Sequence, residues 1–473
     1  MTPNVEVQTI SRTMPIQLGT PDRPLRVAII GSGPGGFYAA DALFNSGMNV
    51  KVAMFDRLPA PFGLVRYGVA PDHPKIKNVI KVYEKVAEKN GFSFLGNITI
   101  GKDLSVDELR TFYDAVIFAC GSQTEKHMGI PGEDDPASHS ATEFVAWYNG
   151  HPDFRTRAFD LSGESAVIIG LGNVAMDVAR ILSKSVDELK NTDIAQHALE
   201  VLSTSKIKEI HLVGRRGPVQ AAFTPAELKE FGELNDCHPV VRPQDLEINA
   251  QSRVELDNPN RPAVKKNFEL LTEYAAHGSS SQKQKRCYFH FLKSPVEFVC
   301  RDSLKKLILE RTALKGEPGA QSAENTGIKE ELKCDILFRS VGYRGVPIPG
   351  VPFDEKKGIF PNANGRIIND GKTVGGLYAA GWIKRGPSGV IGTNKADSAE
   401  TVKNLLADMP QLKACEVPES KAVRALIEER KIQVIDFNSW KKIDAAEISR
   451  GQKSGKLREK FVTIEEMLQA ARS

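Results

Sequence analysis

Apolar positions change from a strand pattern to a helical pattern at two places in the chain. Near the N-terminus, the apolar, β-branched stretch 26–30 ends at Gly31, and apolar residues then recur at helical spacing, as at Phe37 and Leu43. A second stretch, AVII, ends at Gly170 and leads into the helical pattern of VAMDVARIL. The pattern therefore predicts two strand–turn–helix units of the same design.

Further segments have the character of buried strands and of the helices between them. DAVIFACGS (114–122), CDILFRSVGYR (334–344) and GGLYAAGW (375–382) are short and mostly apolar, and GVIGTNKADSAETVKNLL (389–406) is typical of a helix. Alternating strands and helices predict an α/β fold. The expected fold class is α/β with two Rossmann-like, three-layer nucleotide-binding domains.

The first turn has the spacing G-x-G-x-x-G at Gly31, Gly33 and Gly36. In this motif the first glycine permits a tight turn, the second admits a pyrophosphate to the backbone, and the third lets the helix pack on the strand. The following strand, NVKVAMFDR, places Asp56 where an acid is expected to bind a ribose hydroxyl. The predicted dinucleotide site here comprises Gly31, Gly33, Pro34, Gly35, Gly36 and Asp56.

The second turn has the spacing G-x-G-x-x-A at Gly170, Gly172 and Ala175, but its following strand, KEIHLVGRRGP, has no acid at its end. Arg215 and Arg216 stand there instead, and paired guanidinium groups suit the 2′-phosphate of NADP. The alternative is a solvated strand end. We therefore assign the first turn to a flavin dinucleotide and the second to NADPH. The interval from Gly170 to Arg215 is longer than usual, and we interpret it as an extended helix plus an insertion over 183–206, whose role the sequence leaves open.

Composition narrows the class of protein. The 473 residues include 63 basic and 59 acidic side chains, so the net charge of +4 gives no argument for nucleic-acid binding. The six cysteines form no C-x-x-C and no metal-ligand spacing, which predicts free thiols, no metal site and no redox dithiol.

The chain shows no signal for membrane insertion or secretion. No apolar run reaches the roughly 18 residues that cross a bilayer, so no integral membrane segment is expected. The first 24 residues lack the apolar core of a secretory signal, and Arg12 and Arg23 are accompanied by Glu6 and Asp22. We expect a cytoplasmic bacterial protein, with the mitochondrial matrix as the alternative.

Several long motifs occur in a familiar order: GSGPGGFYAA, PFGLVRYGVAPDH, GLGNVAMDVAR, VGRRGPVQAAFTPAELKE and YAAGWIKRGPSGVIGTN. With them the chain, from about residue 25 to about 470, closely resembles the adrenodoxin reductase family. These are NADPH:ferredoxin reductases built like glutathione reductase. The resemblance implies FAD and NADPH as cofactors.

The resemblance also implies roles for individual residues. Those expected at the flavin are Leu64, Ile98, Trp382, Gly389, Val390 and Ile391. Those expected at the NADP pyrophosphate and nicotinamide are Asn173, Val174 and Glu227. His73 and Glu230 resemble a polar pair near the flavin edge, and Asp177 a member of the water network there; these three are the catalytic candidates.

The expected NADP domain is inserted into the FAD domain. Residues 1–24 form an N-terminal arm, 25–125 and 335–473 a discontinuous FAD domain with a C-terminal extension, and 126–334 the NADP domain. Within the extension, GQKSGKLREK is predicted to be an exposed turn.

The implied reaction is hydride transfer from NADPH to FAD, followed by single-electron transfer to an acidic iron–sulfur ferredoxin. A basic face of Lys384, Arg385, Arg261, Lys265 and Lys266 is the hypothesis for docking, and a monomer or weak dimer is expected. The alternatives are an electron-input subunit of a larger reductase complex, a thioredoxin reductase and a non-catalytic nucleotide-binding protein. The first two are disfavoured by the missing cysteine clusters and C-x-x-C.

Overall fold

The computed structural model describes residues 17–301 and 304–472, and most of the predicted N-terminal arm lies outside them. The chain divides into two compact units. The first contains the residues up to Arg57 together with Tyr83–Gly121 and Pro347–Val434. The second contains Leu58–Val82, Ser122–Val346 and the residues from Ile435 onward.

The strands include the predicted apolar segments and several that were not predicted. In chain order they are β1 Leu25–Ile30, β2 Val50–Asp56, β3 Phe92–Gly96, β4 Ala115–Phe118, β5 Thr124–Glu125, β6 Ser138–Ser140, β7 Ser165–Ile169, β8 Glu209–Val213, β9 Cys237–Val241, β10 Lys285–His290, β11 Lys293–Arg301, β12 Leu304–Lys315, β13 Ser322–Lys333, β14 Ile336–Arg339, β15 Tyr343–Arg344, β16 Asn362–Ala363, β17 Arg366–Asn369 and β18 Lys372–Ala379.

The helices alternate with these strands over much of the chain. They are α1 Pro34–Phe44, α2 Leu64–Tyr67, α3 Pro74–Lys77, α4 Ile80–Ala87, α5 Val106–Phe112, α6 Ala141–Tyr148, α7 Asn173–Ser183, α8 Val186–Leu189, α9 Gln196–Ser203, α10 Pro225–Glu233, α11 Ala250–Leu256, α12 Pro262–His277, α13 Trp382–Arg385, α14 Thr393–Asp408, α15 Ser420–Glu429, α16 Phe437–Lys453 and α17 Ile464–Arg472. None of the helices described is long and apolar enough to span a bilayer.

The first unit is built on a seven-stranded sheet with the order β16-β17-β18-β4-β1-β2-β3. The five strands from β18 to β3 are parallel, and β1 is central, with Val27 opposite Val52 on one side and Ala115 on the other. Because both faces of β1 are covered, all six of its residues are buried. The carboxyl end of β1 therefore opens directly into the first glycine turn.

The second unit has a six-stranded parallel sheet with the order β6-β14-β7-β8-β10-β9. One face packs against helices, where Met176 of α7 is fully buried, as its predicted packing role requires. The other face packs against a three-stranded antiparallel sheet, β11-β12-β13, through residues such as Val213 and Leu309. This antiparallel sheet reaches the loop that follows β8.

The predicted domain division differs from the two compact units in three places. Leu58–Val82, predicted in the FAD domain, belong to the second unit. Strand β14 pairs with β6 and β7 in the second sheet, so the return to the first unit lies at Pro347 rather than near 335. The C-terminal residues from Ile435, predicted in the FAD domain, belong to the second unit. Buried parallel strands have similar apolar patterns, so the pattern alone did not assign β14 to a sheet.

After the second glycine turn an extended helix plus an insertion is predicted, but the helix is not extended through residues 183–206. Helix α7 ends at Ser183, and Ser185 caps a separate short helix through its hydroxyl. Leu189 and Ile194 are fully buried. The insertion therefore extends the core of the second unit.

Candidate functional site

The first glycine turn has the backbone that a pyrophosphate cradle needs. Gly31 has a φ of +107°, and a Cβ there would lie 2.5 Å from the carbonyl oxygen of Ala119. A Cβ on Gly36 would lie 2.1 Å from the oxygen of Gly31, so helix α1 approaches the turn more closely than any side chain permits. A Cβ on Gly33 would meet nothing within 4 Å. The open side of the turn lies at Gly33, where the motif admits a phosphate.

Asp56 lies beside this turn at the end of β2. Its Oδ2 accepts hydrogen bonds from the backbone N–H of Ser32 at 2.9 Å and from the Ser32 hydroxyl at 2.5 Å. The carboxylate is thus fixed at the carboxyl edge of the sheet, where a ribose hydroxyl is expected. Ile98, by contrast, is 1% exposed and packs in the core, so its side chain is not available to a ligand.

The late glycine-rich segment and the helix that follows it, α14, pack against α1, the helix of the first glycine turn. The hydroxyl of Ser398 on α14 donates to the carbonyl oxygen of Gly35 at 2.9 Å, and the Gly381 N–H donates to Asp397 at 2.6 Å. Gly389 has a φ of +79°, and a Cβ there would lie 2.6 Å from the Thr393 hydroxyl oxygen. The segment between α13 and α14 is therefore tightly folded. Helix α14 corresponds to the helix predicted over 389–406.

The flavin candidates of this segment differ in exposure. Trp382 begins α13 and donates through Nε1 to the oxygen of Ser388 at 3.2 Å. Val390 is 60% exposed, whereas Ile391 is half-buried. An exposed valine beside the glycine turn is a surface that a bound ring system can cover.

In the second unit, Leu64 is the first residue of α2 and is 36% exposed. The residue two positions earlier, Phe62, has a φ of +83° although it is not glycine, and it is buried. Such a conformation persists only where the surroundings fix it. Here the Trp440 ring packs edge-on against Phe62 at 5.8 Å.

The second glycine turn repeats the design of the first. Gly170 has a φ of +135°, and a Cβ there would lie 2.3 Å from the oxygen of Ser340, while a Cβ on Gly172 would meet nothing within 4 Å. Helix α7 begins at Asn173, whose Oδ1 accepts from the N–H of Thr224 at 2.9 Å. Val174 follows and is half-buried against the core. This cradle also fits a pyrophosphate.

The two arginines follow β8, the strand next to the second cradle. Arg215 and Arg216 are both exposed, and among the residues described neither guanidinium forms an ion pair. Two uncompensated cations side by side are an unfavourable arrangement that an anion relieves. The pair therefore fits the phosphorylated ribose proposed for it.

The three catalytic candidates and Glu227 meet around a buried arginine of α7. His73 Nε2 lies 3.0 Å from Glu230 Oε2, so the two residues are in contact. The fully buried Arg180 guanidinium donates to Asp177 at 2.5 Å and to Glu227 at 2.6 Å. It also donates through Nε to Asp72 at 2.8 Å, and Lys184 donates to the same carboxylate at 2.7 Å.

Known proteins share this architecture along nearly the whole chain. A model of the pyridine nucleotide-disulphide oxidoreductase family matches residues 25–228. The mitochondrial NADPH:adrenodoxin oxidoreductase of Arabidopsis thaliana is 43% identical over 464 residues, covering 95% of this chain and 96% of that protein. NADPH-ferredoxin reductase FprA of Mycobacterium tuberculosis is 43% identical over 459 residues, covering 94% of this chain and 99% of that protein.

The solved structure of Mycobacterium tuberculosis FprA in complex with NADPH superposes with a TM-score of 0.90 and 41% identity, covering 95% of this chain and 100% of that chain. The chain belongs to the adrenodoxin reductase family. The predicted glutathione-reductase-like α/β fold with FAD and NADPH as cofactors is confirmed, and so is the enzyme class, a ferredoxin–NADP⁺ reductase type.

In this adrenodoxin reductase relative, burial and charge set the protonation of the polar cluster. Burial raises the pKa of Asp177 to about 6, even though Arg180 favours the ionised form. Burial lowers the pKa of His73, but the bond to Glu230 and the nearby Asp72 and Glu227 outweigh it, so the net shift is upward. The pKa of Asp177 is therefore above its usual value and that of His73 is also raised, whereas the pKa of Asp72 lies well below its usual range because of Arg180 and Lys184.

The ligand atoms of His73, Asp177 and Glu227 lie within 4.8 Å of one another, a spacing that also suits a metal ion. The Arg180 guanidinium already bonds both carboxylates, and its positive charge lies where a cation would bind. We therefore interpret the cluster as an ion-pair network.

Arg180 and Asp72 were not among the predicted site residues. The available signal was the pair Asp177 and Arg180 at i and i+3 on a helix whose other residues are mainly apolar. A charged residue that lies on the buried face of such a helix requires partners from other segments. The sequence does not show that Asp72 and Glu227 supply them.

One residue of the predicted basic docking face is buried. Lys384 is 7% exposed, and its Nζ lies 2.7 Å from Glu400 and 3.2 Å from Asp397. Its neighbour Arg385 lies 3.2 Å from the same Asp397. Lys384 belongs to the short helix α13, and its ammonium group pairs with acidic side chains of α14. It is therefore not available to a docking protein.

The predicted exposed turn GQKSGKLREK is also wrong in part. Lys456 and Lys460 are 4% and 2% exposed, and Lys460 lies 3.1 Å from Asp193. The same Asp193 accepts from Lys77 at 2.7 Å. The long lysine stems cover apolar surface while their ammonium groups reach buried acceptors, which a polar sequence pattern does not reveal.

Proposed function

We propose that the chain passes electrons from NADPH through FAD to an acidic iron–sulfur ferredoxin, with its two glycine turns as the separate cradles. The observation that supports this most is the difference between the strand ends beside the cradles, Asp56 at the first and the exposed Arg215–Arg216 pair at the second. An acid suits a ribose hydroxyl, and paired guanidinium groups suit a 2′-phosphate.

The chemistry supplied by bound FAD is acceptance of a hydride from NADPH and release of single electrons. The chain's own residues bind and orient. Gly31, Gly33, Pro34, Gly35 and Gly36 hold the flavin pyrophosphate, and Leu64, Trp382, Gly389, Val390 and Ile391 hold the ring. Gly170, Gly172, Asn173 and Val174 hold the NADPH pyrophosphate at the start of α7.

The polar cluster around Arg180 is proposed to hold protons. Glu227 is proposed to contact the nicotinamide, and Arg180 fixes its carboxylate through the bond at 2.6 Å. The pKa values of His73 and Asp177 are both raised, so each can hold a proton, His73 on its ring and Asp177 at a carboxylate oxygen that Arg180 bonds. Glu230 fixes the ring of His73 through Nε2.

The ferredoxin is proposed to dock on basic side chains of the second unit. Lys265 and Lys266 of α12 are exposed, and Lys266 has a loose pairing with Glu269 at 3.5 Å. Arg261 is 41% exposed at its side chain but is bonded to Glu255 at 3.0 Å, so the two lysines are the stronger candidates. Long-range attraction of this kind speeds the encounter with an acidic protein.

We further propose a monomer or weak dimer that works in the bacterial cytoplasm, with the mitochondrial matrix as the alternative. The relatives named above include a bacterial and a mitochondrial protein, so both settings are compatible with the family.

The visible absorption spectrum of the purified protein, together with a cytochrome c reduction assay, tests this proposal. A yellow protein that NADPH bleaches without oxygen, and that reduces cytochrome c only when a ferredoxin is added, is the expected result. A bleached flavin without ferredoxin-dependent reduction would contradict the proposed partner. A protein that neither contains FAD nor takes it up would contradict the whole assignment.

A further inference from the structure

The turn that carries Arg215 and Arg216 is held by the antiparallel sheet behind it. The hydroxyl of Thr312 on β12 donates to the carbonyl oxygen of Arg215 at 2.7 Å. The N–H of Leu292 donates to the carbonyl oxygen of Arg216 at 3.1 Å. Both arginines are thus exposed at their side chains and bonded at their backbones.

The supporting residues are themselves in unusual positions. Leu292 has a φ of +54°, a conformation that a branched side chain rarely adopts, and its carbonyl oxygen accepts the N–H of Thr312 at 2.9 Å. The pairing of β12 with β13 shifts register between Glu310 and Thr312. A bulge of this kind redirects a side chain, and here the Thr312 hydroxyl, 6% exposed as a residue, meets the arginine turn.

The segment that follows the arginine turn is hydrogen-bonded to helix α11 through Gln220. Gln220 donates through Nε2 to the Ser252 hydroxyl at 3.0 Å and to Glu255 at 3.3 Å. Gln321, which precedes β13, donates to the same two groups at 3.0 and 2.8 Å. The turn between these ties therefore has little freedom, although it lies at the surface.

We propose that Thr312 is a positioning residue that fixes the Arg215–Arg216 turn and so sets the preference for 2′-phosphorylated nucleotides. Two long guanidinium side chains lose much rotational freedom when they converge on one phosphate. A fixed backbone limits that loss to the side chains, because the direction of both Cα–Cβ bonds is set before the ligand arrives. This inference rests on the proposed 2′-phosphate role of the arginines.

Binding of 2′,5′-ADP and of 5′-AMP to the holoenzyme, measured by calorimetry, isolates the phosphate from the rest of the nucleotide. Thr312→Val keeps the side-chain shape and removes the donor. We expect it to weaken 2′,5′-ADP about three- to tenfold, the equivalent of one net hydrogen bond, with 5′-AMP unchanged. Thr312→Ser should restore most of the affinity. The KM for NADPH should rise while kcat at saturation stays the same.

Thr326 offers a matched control on β13. Its hydroxyl donates to the carbonyl oxygen of Arg311 at 2.9 Å, so Thr326→Val removes the same kind of bond from the same sheet. We expect this variant to bind both probes as the unaltered protein does. Equal weakening of both probes by Thr312→Val, or no weakening of 2′,5′-ADP, would overturn the positioning role. An unaltered protein that binds the two probes equally would instead contradict the assignment of the arginines.

Discussion

At the scale of single residues, we expect the arginine pair to determine which nucleotide binds. Replacing Arg215 and Arg216 by Ala should weaken NADPH binding by about 1.5 to 3 kcal/mol for each charge-assisted hydrogen bond that the substitution removes. NADH lacks the 2′-phosphate, so its kcat/KM should hardly change. Steady-state kinetics with both nucleotides measure the difference, and an equal decrease with NADPH and NADH would contradict the assignment.

Lys460 makes folding depend on pH in a definite direction. Burial lowers its pKa to about 7, below the value of the unfolded chain, although Asp193 opposes the shift. Between about pH 7 and pH 10 the unfolded chain therefore binds a proton that the folded chain does not, and stability due to this group rises with pH.

Lys460→Met tests this sign. Denaturant unfolding at several pH values should show that the unaltered protein gains stability between pH 7 and 10 relative to the variant. The exposed Lys453→Met controls for the loss of a positive charge in the same segment. Profiles of the unaltered protein and Lys460→Met that run parallel would show that Lys460 does not titrate in this range.

At the scale of elements, the glycines of the first turn separate binding from folding. Gly33→Ala should leave the stability of the apoprotein unchanged, because its methyl group meets no protein atom, and should weaken FAD binding by occupying the cradle. Gly36→Ala should destabilise the protein by about 1 to 3 kcal/mol, because its methyl group would push α1 away from Gly31. Apoprotein melting and FAD titration distinguish them, and similar behaviour of the two variants would contradict this geometry.

Helix α16 fixes the segment that contains Leu64 through a buried ion pair. Arg66 donates to both carboxylate oxygens of Glu447, at 2.9 and 2.5 Å, and its guanidinium lies 5.0 Å from the Trp440 ring. Glu447→Ala should cost about 3 to 5 kcal/mol of unfolding free energy, since it leaves a buried charge without its partner.

A second substitution identifies the cause of that destabilisation. The double variant Arg66→Met, Glu447→Leu should recover most of the stability, because no buried charge remains. Asn438→Ala, on the exposed face of the same helix, should have almost no effect. Denaturant unfolding gives all three values. A double variant as unstable as Glu447→Ala would mean that packing, not charge, is responsible.

At the scale of the whole molecule, charge should govern the encounter with ferredoxin. Changing Lys265 and Lys266 to Glu should reduce the second-order rate of ferredoxin reduction at low salt and flatten its dependence on ionic strength. NADPH-driven ferricyanide reduction, which needs no protein partner, is the control. A rate that is insensitive to salt in the unaltered protein would argue against electrostatic docking.

Local sequence motifs predicted much of the fold and of the candidate site. The features that they did not predict depend on contacts between segments that are distant in the chain. The glycine turns and Asp56 could be predicted because their chemistry lies within one strand–turn–helix unit. Arg180 and Lys460 could not, since their acidic partners, Asp72 and Asp193, come from segments far away in the chain. The sheet that receives β14 could not be predicted for the same reason.

The interrupted order of the segments has a consequence for synthesis on the ribosome. The sheet of the first unit lacks β16, β17 and β18 until the chain has been made beyond Ala379, and the second unit lacks α16 until Lys453 and α17 until Arg472 have been made. The first unit therefore cannot complete its core before the chain has been made to Val434, and the second cannot before α17 has been made. A premature stop before the codon for Glu447 would therefore release a polypeptide in which the Arg66 charge lacks its partner, a substrate for quality-control proteases rather than a shortened enzyme.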